Sequence, residues 1–362
     1  MARLIFCFDG TCNDPEDAGD FFEDTSISNV LKLHLLLGGQ LSGPNGGSEN
    51  PDQRSFYYSG VGTRGGWLKQ KFNAMFAPPH GDIEDILDEA NENLREHFKQ
   101  GDEIYIFGFS RGAAIARMFA AHIKKQKVNH LETVKFLGVF DTVAATKGSL
   151  DLNPNTFPSS GIVFENGDIG DYIEKVVHLL SIDERRIAFQ PTLFSDNDRV
   201  TEVWFPGVHS DIGGGYWFDG LSDITLQFMI DQIDAHLNVL LDEEVDYPGL
   251  KIAGAQDAIC IDDLHIQPLA HGKIHEQKRS GVKAKTLSPR FVRVDKDNMR
   301  SDKLPVIHHS VVKRFKSVAE YRPYALRGIK YDVMAGDGAL DTNEGNHFVG
   351  IKGLAGVSAP VA

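Results

Sequence analysis

The sequence predicts an α/β fold with a mostly parallel sheet. Short, nearly continuous apolar runs alternate with segments whose apolar residues recur at helix spacing. The runs suit strands buried on both faces rather than strands with one wet face. Several of them end in glycine or in a polar residue, and reactive groups gather at the carboxyl ends of strands in open α/β sheets.

Leu4 to Phe8 forms the first strand and stops at Asp9-Gly10. Ser26 is placed to cap a helix from about Ile27 to Leu37. Gly38 to Gln53 is rich in Gly, Ser, Asn and Pro and is expected to be a loop. Ser55 to Thr63 makes a second strand with a glycine turn. Lys71 to Pro79 sets large apolar residues beside a proline pair; core packing and a lipid-contacting lid both suit it. Ile83, Ile86, Leu87, Ala90, Leu94 and Phe98 share one helix face. Strands follow at Ile104 to Phe107 and Val134 to Phe140, with a helix from Ala113 to Ala121 between them. Val176 to Leu180 and Glu202 to Gly207 are further strands or edges, and Leu221 to Leu241 returns to helix spacing. Residues 242–362 are polar and broken by Pro and Gly, with strand-like pieces such as Arg290 to Val294. A core over 1–241 and an irregular cap or extension over 242–362 packed on it are expected.

The chain has 362 residues, 41% of them hydrophobic, enough for a large core or two domains. A net charge of −14 argues against a nucleic-acid partner and against simple attraction to anionic lipid. A local patch remains compatible with transient membrane contact. No apolar run has transmembrane length, and the N-terminus lacks the features of a signal peptide. Synthesis in the cytoplasm is the expectation. Cys7, Cys12 and Cys260 make no disulfide framework and no metal-ligand spacing.

Gly108-Phe109-Ser110-Arg111-Gly112 stands between a predicted strand and a predicted helix. Strand, G-x-S-x-G, helix is the context of a nucleophile elbow, and it makes Ser110 the candidate nucleophile. A serine needs a base, and the base needs a buried acid. Asp141 ends an apolar strand, where an unpartnered charge is costly. His209 lies between an apolar strand and Gly213-Gly214-Gly215. Ser110, Asp141, His209 is the chain order of α/β-hydrolases. Asp211 competes for the acid role because it is near His209 in sequence; a turn-capping role for Asp141 is the alternative. His308, His309 and His347 are rival bases. The oxyanion donors are expected at the amide of Arg111 and in the Gly10-Thr11 turn. Asp9 either caps that turn or orders the site. With no second acidic cluster, neither a metal nor any other cofactor is expected.

These residues resemble the Tle1-like phospholipase catalytic domain family (DUF2235). The resemblance rests on Phe8 to Thr11, Tyr58 to Thr63, Gly108 to Ala113, Val139 to Val143, Asp183 to Arg186 and Trp204 to Tyr216. His308-His309-Ser310-Val311 followed by Tyr321-Arg322-Pro323 extends it towards the C-terminus. It implies a lipase-like α/β-hydrolase domain with its triad at Ser110, Asp141 and His209, and hydrolysis of glycerophospholipid acyl esters. It also implies an antibacterial effector of type VI secretion, with an immunity protein and a spike partner, acting in the target-cell periplasm. The chain is shorter than larger relatives, which carry further membrane-targeting parts. A cytosolic carboxylesterase or thioesterase, or a catalytically silent interaction domain, are the alternatives.

Overall fold

A computed structural model describes residues 1–10, 26–41, 52–60, 80–123, 133–144, 168–233, 237–247, 250, 259–276, 285–292, 303–327, 329–335, 340–341, 347–348 and 354–355. Thr11, the Lys71 to Pro79 segment and most of the Gly38 to Gln53 loop fall outside them.

Eight parallel strands and one antiparallel strand form a single sheet in the order β2-β1-β3-β4-β5-β6-β7-β8-β9. They are β1 (Arg3–Phe8), β2 (Gln53–Tyr58), β3 (Glu103–Phe109), β4 (Phe136–Phe140) and β5 (Val176–Ser181). β6 (Val200–Phe205), β7 (Val306–His308), β8 (Asp332–Met334) and the antiparallel β9 (Leu340–Asp341) complete it. β10 (His347–Phe348) and β11 (Leu354–Ala355) pair separately. β7 and β8, from beyond residue 241, continue the same sheet.

The helices are α1 (Asn29–Leu36), α2 (His80–His97), α3 (Ser110–His122), α4 (His209–Gly213), α5 (Gly220–Gln232), α6 (Ile261–Leu264) and α7 (His309–Ser317). Both sheet faces are covered, which is why the strands read as continuous apolar runs. Phe6, Ile104, Ile106 and Val139 pack against α2 and α3 through Leu94, Ile115 and Phe119. Their neighbours Ile5, Cys7, Phe107 and Val203 face α1 and α5 through Leu33, Leu226 and Met229. Trp204, Ile307, Val311 and Phe315 carry the core on beneath α7. Among the described residues no helix is long and apolar enough to cross a membrane.

Three expectations shift. α1 is capped by Ser28, not Ser26; the Ser28 hydroxyl accepts from the Leu31 amide (3.1 Å) and donates to Asp9 Oδ2 (2.7 Å). α5 ends at Gln232 rather than near Leu241, and Lys175 Nζ donates to the Gln232 carbonyl (2.9 Å). The chain beyond is drawn into other bonds: the Leu240 amide donates to the Leu36 carbonyl (2.7 Å), and the Gln53 side chain brackets Asn238. Arg290 to Val292 form no sheet strand, and Arg290 turns inwards instead.

Strand order reverses at β1, whose neighbours are β2 and β3. Beyond the carboxyl ends of β1 and β3 lies the crevice where open α/β sheets bind ligands. Asp9-Gly10 and Ser110 both sit there. The start of α3 lies directly on the end of β1: a Cβ at Gly112 would stand 2.3 Å from the carbonyl oxygens of Phe8 and Asp9. Both are backbone atoms and neither can swing aside. Gly112→Ala is therefore expected to lower unfolding stability by about 1–3 kcal/mol. An unchanged urea midpoint would show that this contact is not tight.

Candidate active site

Ser110 opens α3 at the end of β3, and its φ is +56°. Asp141 ends β4 with φ +43°. Among the described residues these are the only non-glycine residues at positive φ. Such backbone costs about 1–3 kcal/mol and persists where packing over-determines it, often at functional sites. The elbow glycines allow the turn: a Cβ at Gly108 would meet the Ala113 backbone at 2.7 Å. The Val143 amide donates to the Ser110 carbonyl (3.2 Å), tying the elbow to the turn after β4.

His209, the first residue of α4, places Nδ1 2.6 Å from Asp141 Oδ2. Both side chains are buried. Phe109, the residue before the serine, lies against the His209 ring at 4.7 Å between centroids, and Phe189 meets it edge-on at 5.0 Å. Gly213 lets α4 lie on Phe109; a Cβ there would fall 2.0 Å from the ring. An ionised carboxylate only accepts, so the proton is on Nδ1 and Nε2 is bare in the neutral ring. Nε2 is buried and has no hydrogen-bond partner among the described residues. Burial holds the imidazole below its ordinary 6.5, against the pull of Asp141.

Asp141 carries a second, stronger partner that sequence reading missed. Arg290, fully buried, donates from Nη1 to Oδ1 (2.6 Å) and from Nη2 to Oδ2 (2.8 Å). Arg290 also donates to the Ser181 and Phe189 carbonyls, and the Ser181 amide reaches Asp141 Oδ1 (3.1 Å). Burial alone would raise the Asp141 carboxyl. Arg290 and His209 outweigh it and hold it below the ordinary carboxylate range. Arg290 is 149 residues from Asp141, and no local pattern marks it.

The expected competitor Asp211 goes elsewhere. It accepts the Val208 amide (2.8 Å) and meets His275 Nδ1 at 2.6 Å. His275 in turn stacks on Tyr216 at 3.7 Å. Of the rival bases, His308 turns to Ser310 and Phe205. The His309 ring lies tilted against His308 at 4.2 Å between centroids, and the His347 side chain lies outside the described residues.

The turn after β1 is ordered by Asp9, which accepts from Tyr57 Oη (2.6 Å), Ser28 Oγ (2.7 Å) and the Gly10 amide (2.6 Å). Burial raises the Asp9 carboxyl despite these bonds. Gly10 lies against the elbow, where a Cβ would be 3.2 Å from Ser110 Cβ. Its amide, expected to face an oxyanion, is engaged by Asp9. Arg111, the residue after Ser110, lies in the first turn of α3. Among the described residues no three His, Cys, Asp or Glu side chains form a group able to hold a metal ion.

The Asp183 to Arg186 stretch fixes the backbone that carries His209. Asp183 Oδ2 accepts the Gly207 amide (2.8 Å), and Tyr321 Oη donates to the same oxygen (3.0 Å). Glu184 Oε2 accepts the His209 amide (3.2 Å) and binds Arg186 through both carboxylate oxygens. Ser181 Oγ donates to the Gly207 carbonyl (2.7 Å) and accepts the Glu184 amide (3.1 Å).

A strained serine elbow, a carboxylate-bound histidine and a parallel sheet define an α/β-hydrolase-like protein. The family model described as "T6SS, Phospholipase effector Tle1-like, catalytic domain" matches residues 2–129 and 121–232, more than half of the chain, which belongs to that family. An uncharacterized protein of Saccharomyces cerevisiae is 33% identical over 136 residues, covering 34% of this chain and 17% of its own length. The crystal structure of an uncharacterized protein from Pseudomonas aeruginosa aligns over 75% of this chain and 49% of its own, at 21% identity and a TM-score of 0.45. The structure of the Tle1 effector bound to the VgrG spike of the type 6 secretion system covers 60% of this chain and 51% of its own, at 24% identity and a TM-score of 0.39. The chain thus spans about half the length of these two solved chains and under a fifth of the yeast protein.

Burial would raise the Glu184 carboxyl, but Arg186 prevails and draws it from 4.5 down to about 2. A depressed carboxylate stabilises the fold above its unfolded value and loses that contribution as pH falls through the folded value. The window is therefore pH 4.5 down to 2. Urea unfolding at pH 5 and pH 3 should show a clear loss in wild type. Glu184→Gln should shrink that loss by up to about 2 kcal/mol. An equal loss in both proteins would contradict the role given to Glu184.

Proposed function

We propose that this chain is a serine esterase cleaving acyl esters of glycerophospholipids, a phospholipase of the A type. The observation that carries the reading is the His209–Asp141 bond, with Nε2 bare and buried and the ring packed on Phe109, the residue before the strained Ser110. Membership of the Tle1-like phospholipase effector family supports the lipid substrate.

Ser110 Oγ attacks the ester carbonyl carbon while His209 Nε2 takes its proton. Asp141 holds the Nδ1–H and stabilises the imidazolium that forms. The tetrahedral oxyanion is received by the Arg111 amide and, because Asp9 holds the Gly10 amide, by Thr11 as the second donor. His209 returns the proton to the leaving lysophospholipid oxygen as the carbon–oxygen bond breaks, leaving Ser110 acylated. Water, deprotonated by the same Nε2, releases the fatty acid. Asp9 and Asp211 stay out of proton transfer: Asp9 orders the oxyanion turn, and Asp211 joins α4 to His275.

We further assign the chain to contact-dependent delivery, made in the cytoplasm and acting in a target-cell periplasm. A spike protein as carrier is supported by the Tle1 effector, which was solved bound to the VgrG spike. An immunity protein would guard the producing cell.

Phosphatidylglycerol or phosphatidylethanolamine labelled on one acyl chain should yield free fatty acid and lysophospholipid. Ser110→Ala and His209→Ala should each lower kcat by several orders of magnitude. A fluorophosphonate should label wild type but not Ser110→Ala. Because burial lowers His209, kcat/KM should hold at pH 6.5 and fall only at lower pH. Targeting to the periplasm should be toxic in wild type and harmless in Ser110→Ala. Cleavage of soluble esters with intact phospholipids would assign a carboxylesterase or thioesterase instead; no hydrolysis at all would leave a silent interaction domain.

A further inference from the structure

A cavity of about 600 Å³ lies between α5, the 268–271 segment and α7. Ser110, Asp141 and His209 do not line it. Its volume is in the range of small-molecule pockets, about 300–1,000 Å³. Ile224 and Phe228 of α5 and the aliphatic parts of Leu269 and Ala270 make its apolar wall. Lys313 and Lys316, both exposed on α7, stand at its rim with His271. The rim carboxylate is Asp231, which already accepts from Gln227 Nε2 (2.8 Å). These cations face outwards on a chain whose net charge is −14.

The wall also holds a directed donor. His308 is 3% exposed and lines the cavity. Phe205 stacks on its ring at 4.5 Å and Phe228 meets it edge-on at 5.5 Å, so its orientation is fixed. Nδ1 lies 2.8 Å from Ser310 Oγ and accepts the Ser310 amide as the cap of α7. An Nδ1 that accepts leaves the proton on Nε2. That N–H makes no hydrogen bond among the described residues. Burial keeps the imidazole neutral, far below its ordinary value. His308 lines the cavity, and an acceptor on a ligand held there would meet that N–H.

We propose that this cavity is a second binding site, separate from the elbow, for a single-chain anionic amphiphile. The alkyl chain lies along Ile224, Phe228 and Leu269. The anionic head, a carboxylate or a phosphate, takes the His308 Nε2–H and the field of Lys313 and Lys316. The proposal goes beyond ester cleavage and does not depend on it.

The test is calorimetric titration of the Ser110→Ala protein with decanoate, decyl phosphate and decyltrimethylammonium, each below its micelle concentration. Using this variant keeps failure of the site apart from failure of the esterase reading. One or both anions should bind at a single site, and the tighter one names the head group. The cation should bind at least about tenfold more weakly. Lys313→Glu with Lys316→Glu should weaken the anion about tenfold. Leu269→Asp, at an exposed position that spares folding, should weaken it as well. Three results overturn the proposal: no binding of either anion, equal binding of the cation, or binding unmoved by all these substitutions.

Discussion

The site depends on keeping one buried carboxylate ionised. Asp141 is fully buried, and a lone carboxylate in such a place takes up a proton instead. Arg290 prevents this through two parallel N–H bonds, a geometry lysine does not supply. The charge that remains fixes the His209 tautomer and leaves Nε2 bare. Asp141 needs Arg290, and Arg290 comes from beyond residue 241. The C-terminal part of the chain therefore completes the site as well as the sheet.

Around this ion pair, the motifs of the sequence divide into chemistry and placement. Ser110 and His209 are the residues we propose for the bond-making steps. Asp183, Glu184 and Ser181 hold the Gly207 to His209 backbone by hydrogen bonds to its amides and carbonyl, and Tyr321 donates to Asp183 in turn. Phe109 and Phe189 confine the imidazole from two sides. The histidine stands at the start of a five-residue helix, too short to hold itself, and its position is borrowed from these neighbours.

The strand-end positions of Ser110, Asp141 and His209 were legible in the sequence because each follows a strand whose apolar run is continuous. The sheet does the rest, bringing three distant strand ends to one edge. Arg290 was not legible: its partner is 149 residues away, and a basic residue in an alternating run looks like an exposed strand position. Ser26 was the expected cap of α1; Ser28 takes that position and also donates to Asp9. α5 overran in the reading because its apolar spacing continues past Gln232. Backbone bonds to α1 and the Gln53 side chain take over the later residues. Asp211 looked like a partner of His209 by nearness in sequence, but short-range geometry turns it to the Val208 amide.

The central claim is that His209 rests neutral, with its proton on Nδ1 shared towards Asp141 and Nε2 bare. Histidine-labelled nitrogen NMR at pH 7 tests it directly. The account predicts a pyrrole-like Nδ1 and a pyridine-like Nε2 for His209, with a strongly downfield Nδ1–H proton from the 2.6 Å bond. A signal showing the proton on Nε2, or a fully charged imidazolium, would contradict it.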